Sequence, residues 1–315
     1  MRHKDDRDCR INEAAPLARD LTEEQRKRLY VERLDKLQRD IAKLEASTIN
    51  KIEAMIAELS EEIAANITRN YQIETAANKI AAMVKNLQGQ TKETVARIWK
   101  DVEVQFKKQL LDAGNLGQEA VDDLMSILGQ GVLEDAAMSA SRLDELKLMT
   151  DFSADLVAEV GDDIIRKINT QLSLGATGGV SPGEMIAKIE SFIPVGETRW
   201  ASVARGPLKR AETIVRTEMG RIYSLAQNMR AEEFAAAGIK IYKVWNHSGL
   251  ASDTARSGHI EMDGQKVAQD ESFINPVTGN ELAFPRDPAA DASETINCGC
   301  YMTIETENFG DLFKE

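Results

Sequence analysis

Residues 294–309 read ETINCGCYMTIETENF. Within them Cys300, Met302 and Ile304 alternate with Tyr301, Thr303 and Glu305. An apolar/polar period of two predicts a β-strand. Some fifty residues earlier, IKIYKVW (239–245) places Ile239, Ile241 and the ring of Trp245 on one side of a second strand. Between the two, residues 246–297 carry Gly, Pro, Asp and Asn throughout and predict irregular chain. Just upstream, PLKRAETIVRTEMGRIYSLAQNMRAEEFAAAG (207–238) reads as a long helix stopped by Gly238. A long helix, two short strands and a loop-rich middle make a small α+β unit.

Everything further upstream has the helical period. DLTEEQ offers Thr22 as an N-cap with Gln25 as its capping-box partner. Leu34, Leu37, Ile41 and Leu44 form a stripe, which resumes at Ile52, Ile56, Leu59, Ile63 and Ile67. The five-residue step from Leu44 to Ile49, across Ser47 and Thr48, predicts a break or phase shift. Dense Glu, Lys and Arg on both flanks favour an amphipathic helix in an extended bundle over a coiled coil, because the heptads are interrupted. Gly89 marks a junction, and the helix TKETVARIWKDVEVQFKKQLL (91–111) is expected to end in a turn at Gly114 and Gly117. Further helices are expected around 118–128, 132–149 and 153–173. In SLGATGGVSPGEM (173–185), Ser181, Pro182 and Glu184 read as N-cap, first helical residue and third.

The expected architecture is therefore α+β. A flexible arm (1–19) precedes a helical region (20–175). A linker with a short helix (176–200), the small α+β domain (201–308) and a tail (309–315) follow.

Composition narrows the function classes. Charged residues make up 29% of the 315 and aromatics 5%, which suits extended helices better than one thick core. The net charge of -13 and pI near 4.9 disfavour a DNA-coating role, since phosphate binding needs Lys and Arg. Three cysteines make no disulfide framework and fit a reducing cytoplasm. MRHKDDRDCR lacks the apolar core of a secretory signal, and no stretch approaches the ~20 apolar residues of a membrane span.

Three constellations could carry chemistry. On the long helix, Arg216, Glu218 and Arg221 are either surface ion pairs or a buried Arg/Glu brace for the loops behind it. In DTARSGHIEMDGQ (253–265), Asp253, Arg256, His259, Asp263 and Gly264 cluster, with Asp-Gly favouring a turn. His259 beside acids suits acid–base work, but a structural hydrogen bond to a backbone carbonyl ranks higher without a nucleophile. Cys298 and Cys300 are spaced too closely for an easy disulfide. Zinc would need them with His259 and either His247 or Asp263. A role as small buried hydrophobes ranks above a structural zinc, and no other cofactor is expected. Phosphate-loop, dinucleotide, HExxH and GxSxG motifs are absent from the sequence. Lys209, Arg210, Arg216, Arg221 and Arg230 bias the long helix toward DNA, although a solvated face accounts for such a run better.

The order of these features resembles the phage minor head, or head morphogenesis, family with the Mu F-like domain. The carrying residues are Arg216, Thr217 and Glu218; Trp245; Arg256, His259, Asp263 and Gly264; Phe273; Pro285 and Pro288; and Asn297, Cys298 and Cys300. They span roughly residues 205–305. The sequence departs from the family at Gly299, where a basic residue is frequent, and at NHSGLAS (246–252). Both departures weaken a nucleic-acid contact near Cys298. The resemblance implies a virion component assembled in the host cytoplasm. It would associate with the portal, capsid or scaffold during head assembly, with DNA a further partner at packaging or ejection. No established catalytic activity comes with the resemblance, and the lack of an apolar span argues against a membrane partner. The alternative is a metal-dependent nuclease or hydrolase centred on His259 and Asp263.

Overall fold

The computed structural model describes residues 21–129, 138–191, 193, 207–248 and 256–307. The arm, the tail, Cys9 and the start of the helix expected from residue 132 lie outside them.

Three long helices, α1 (Glu23–Asn70), α2 (Ala77–Ile127) and α3 (Ala140–Thr177), pack with the short α4 (Pro182–Glu190) and with α5 (Pro207–Ala236). At 1.5 Å per residue, α1 and α2 are each about 70–80 Å long. Both expected capping boxes form, Thr22 with Gln25 and Ser181 with Glu184. Each satisfies backbone N–H groups that have no partner within their helix.

The expected breaks do not occur. α1 runs through Ser47 and Thr48. Thr48 is fully buried, and its hydroxyl donates to the Leu44 carbonyl (2.7 Å) and to Gln109 Oε1 on α2 (3.3 Å). The gap in the stripe is thus filled by a polar residue with its hydrogen bonds made inside the bundle. α3 likewise continues through residues 149–153 as one helix.

α2 also runs straight through Gly89, Gly114 and Gly117. Glycine is a poor helix former, but two of these three sit where α5 crosses. A Cβ on Gly114 would touch Ile222, and one on Gly117 would overlap the Tyr223 carbonyl oxygen. The neighbour at Gly117 is backbone and cannot rotate away. Gly117→Ala is therefore expected to destabilise the protein by about 1–3 kcal/mol despite alanine's better helix propensity. Urea unfolding checks this; a stabilised Gly117→Ala would mean that α2 and α5 do not approach so closely.

The C-terminal part is built on α5. β1 (Ile241–Asn246) lies between β2 (Lys266–Ala268) and β5 (Tyr301–Thr306), antiparallel to both. β3 (Phe273–Ile274) and β4 (Glu281–Leu282) form a separate two-stranded ladder. Two short helices, α6 (Ser257–Glu261) and α7 (Ala292–Thr295), complete it. Met302 and Ile304 of β5 join the main core together with residues of α1 to α5. Trp245, Met262, Phe273, Leu282, Cys298 and Cys300 form a smaller, second core. Tyr30 of α1 donates its hydroxyl hydrogen bond to the Ile304 carbonyl (2.9 Å).

Lys243 is the unexpected member of β1. It lies on the buried face between Ile241 and Trp245, 2% exposed. Its Nζ donates to the Ala283 carbonyl (2.8 Å) and sits 5.8 Å from the Phe273 ring centre. Burial lowers its pKa, against the opposing pull of Glu232, Asp287, Asp270 and Glu271. The unfolded chain then binds a proton that the folded chain holds less well. The resulting penalty is complete below the lowered folded-state value and disappears above the ordinary 10.5. Unfolding free energies of wild type and Lys243→Met, measured from neutral pH to above 10.5, should shift in favour of wild type as pH rises.

Candidate metal-binding cluster

The second core gathers the polar residues that the sequence singled out. α6 places His259 on the inner side, 2% exposed. Gly258 makes this possible, because a Cβ there would overlap the Asn275 side chain. On the other side, Asn297 takes a left-handed conformation (φ 54°), which asparagine tolerates better than most residues. Its N–H donates to Thr217 Oγ1 on α5 (3.0 Å). That turn leads the chain into Cys298, and Cys300 follows just ahead of β5.

The result is compact. His259 Nδ1 lies 3.4 Å from Cys298 Sγ and 3.7 Å from Cys300 Sγ. Both cysteines are buried and neither is in a disulfide. His259 Nε2 faces Glu294 Oε2 at 2.7 Å, a carboxylate partner rather than the backbone carbonyl expected. Glu294 is 2% exposed and accepts from Asn275 Nδ2 (3.0 Å), Thr278 Oγ1 (2.8 Å) and Asn280 Nδ2 (2.9 Å). Burial pushes its pKa up, but Asn280, Thr278, His259 and Asn275 outweigh that and hold it below the ordinary value. Glu294 and Asn275 were not singled out from sequence.

The two thiols move apart in acidity. Cys298 is lowered to about 4, first by the hydrogen bond from Cys300 and then by His259 and Arg286, against burial. Cys300 is raised, by Cys298 and by burial. Burial pulls the His259 pKa down, and Cys298 and Glu294 more than reverse this.

The other motif residues brace this cluster. Glu218 and Arg221 form the buried pair (2.5 Å), and Arg221 Nε donates to the Arg286 carbonyl (3.2 Å). Arg216 turns the other way, to Glu212 on α5 and Glu45 on α1. Arg256 donates to the carbonyls of Ser293 and Ile296, fixing α7. Phe273 packs edge-on to Trp245, with ring centres 5.3 Å apart. Pro285 is buried beside Arg286, whose guanidinium lies against Gly220 of α5. Gly264 makes the turn after Met262 at φ 79°, and its N–H donates to the Trp245 carbonyl.

Asp263 does not join His259. It is exposed, and its carboxylate accepts from the His247 N–H (2.8 Å). Among the described residues the only metal-competent group of three is His259, Cys298 and Cys300. A His259/Asp263 hydrolytic pair therefore has no geometric basis. The basic bias of α5 is also neutralised internally. Lys209 pairs with Glu212, Arg210 with Glu159, Arg221 with Glu218, and Arg230 with Asp122 and Glu233.

Residues 166–303 match the family model described as phage Mu protein F like protein. The matched segment begins within α3 and ends within β5, and so contains the whole cluster. An uncharacterized protein of Bacillus subtilis, YqbB, is 35% identical over 95 residues, 30% of this chain and 30% of that protein. An NAD(+)–arginine ADP-ribosyltransferase of Enterococcus faecalis is 32% identical over 140 residues, 44% of this chain and 27% of that protein. The chain thus spans less than a third of the length of either curated relative. No solved structure gives a significant match. No helix among the described residues is long and apolar enough to cross a membrane.

Proposed function

Taking the Mu F-like match of residues 166–303 as the premise, we propose that this chain is a minor head protein of a tailed bacteriophage that joins the portal vertex during head assembly. The match itself points to a phage head-related protein. The observation that carries the finer reading is how the matched segment is built. Several motif residues serve as braces: Arg256 fixes α7, Glu218 holds Arg221 against the 284–288 loop, and Asn297 docks on Thr217. A domain whose polar residues hold its own loops suits a docking role better than turnover of a substrate. The long helices α1 to α3 supply an extended surface for portal or capsid contacts. The protein acts without catalysis, and any handling of DNA at packaging or ejection does not rest on the ion-paired basic residues of α5.

Co-expression with a portal protein from the same phage genome tests this. The expected result is a complex that co-purifies, and the chain recovered in low copy from purified particles. Failure to find it in either overturns the reading. A nuclease assay on the same preparation is expected to be negative.

A further inference from the structure

We propose that His259 Nδ1, Cys298 Sγ and Cys300 Sγ form a zinc site that staples α6 to the turn leading into β5. The three ligand atoms lie within 4.8 Å of one another. A tetrahedral zinc with Zn–S near 2.3 Å and Zn–N near 2.0–2.1 Å holds sulfur and nitrogen about 3.6 Å apart. The two N···S separations here are 3.4 and 3.7 Å. Little movement is needed to bring all three onto one ion.

The histidine is set up for this. Every other group on Glu294, from Asn275, Thr278 and Asn280, is a donor, so that carboxylate is an acceptor throughout. His259 Nε2 must then carry the hydrogen that faces it. In the neutral ring this leaves the Nδ1 lone pair, aimed at both sulfurs. A carboxylate fixing the far nitrogen of a metal-binding histidine is the usual outer partner of such sites. Without a metal, only one of the two thiols can donate to that lone pair. A metal satisfies all three groups at once.

A further buried donor fits the same picture. Trp245 is fully buried, its Nε1 has no hydrogen-bond partner, and its ring meets His259 edge-on at 5.2 Å. The Arg286 side chain adds positive charge near both sulfurs. Both cysteines bind as thiolates, so any proton still held on sulfur leaves to solvent on binding. The burial of both sulfurs, 4% and 2% exposed, speaks against Cys298 as a nucleophile for an outside substrate. Among the described residues no fourth His, Cys, Asp or Glu joins, so these residues supply three ligands. A small core with only two- to six-residue strands around it gains most from such a staple.

The test uses the full chain, purified without a metal-binding tag, and measures zinc by elemental analysis. One zinc per chain is expected, kept in Cys9→Ser and lost in Cys298→Ser, Cys300→Ser and His259→Gln. Chelation should lower the unfolding temperature. Because the variants can misfold, cobalt(II) added to the wild-type apo-protein provides an independent readout. It should give the strong visible bands of a tetrahedral site with a thiolate charge-transfer band. Wild-type protein that is folded by circular dichroism and binds neither zinc nor cobalt overturns the proposal. So does stoichiometric metal retained in the Cys298→Ser/Cys300→Ser double variant. The proposal is independent of the portal reading, and either can fail alone.

Discussion

Trp245→Ala is expected to destabilise the C-terminal unit by about 3–5 kcal/mol, in the range for emptying a fully buried aromatic site. The indole meets His259 and Phe273 edge-on, with ring centres 5.2 and 5.3 Å away. It shares its core with only five other buried residues, so neighbours cannot collapse far into the space. The backbone of Trp245 also closes the turn, accepting from the Gly264 N–H and donating to the Gln265 carbonyl. The much larger main core is built mostly by the helical bundle. The loss should therefore be local. Limited proteolysis should open between residues 246 and 300 while the helical circular dichroism signal persists. Trp245→Phe, which keeps a ring, should cost less. A shift below about 1 kcal/mol for Trp245→Ala would show that the second core contributes little.

Glu218→Ala is expected to cost a similar amount, about 3–5 kcal/mol, by a different route. Glu218 and Arg221 are almost fully enclosed, with side chains 4% and 10% exposed. Glu218 Oε1 takes Arg221 Nη1 at 2.5 Å, and Oε2 accepts from Ser153 Oγ of α3 at 2.7 Å. Removing the carboxylate leaves a guanidinium charge in the interior without its counter-ion. It also releases the Arg286 carbonyl contact that holds the 284–288 loop. The penalty belongs to the stranded charge rather than to the pair. Glu218→Met with Arg221→Met should recover much of the loss, and a double-mutant cycle by chemical unfolding measures how much. If the double variant is no better than Glu218→Ala, the pair itself stabilises the fold and the stranded charge is not the cause.

The helices were legible from the stripe of Leu and Ile, and their starts from Thr22 and Ser181, because capping and periodicity are local properties. Their interruptions were misread. Gly114 and Gly117 looked like a turn because glycine weakens a helix, yet α5 crosses there and leaves no room for a Cβ at Gly117. Thr48 looked like a break because its partner, Gln109, is sixty-one residues away. The strands were legible from alternation, apart from Lys243, whose burial depends on the distant Ala283 carbonyl. In the cluster, His259 and the two cysteines were visible as rare residue types. Glu294, Asn275 and Thr278 were not, since acidic and amide residues are common and only folding reveals that they converge on one carboxylate. Asp263 was an attractive neighbour in sequence, but the turn at Gly264 carries it outward.

The hydrogen bond from Tyr30 to Ile304 spans 274 residues. While the chain is being synthesised, the first turns of α1 therefore wait for a partner that leaves the ribosome 274 residues later. The contacts among α1, α2 and α3 can form earlier, but this closing contact carries a high contact order and sets in late. The docking of β5 thus fastens the start of α1 only after all the bundle helices have been made. A nascent or truncated chain ending before residue 301 would carry a formed bundle with the entry to its first helix unfastened. Only a chain that includes β5 would present that end of the bundle in its final form.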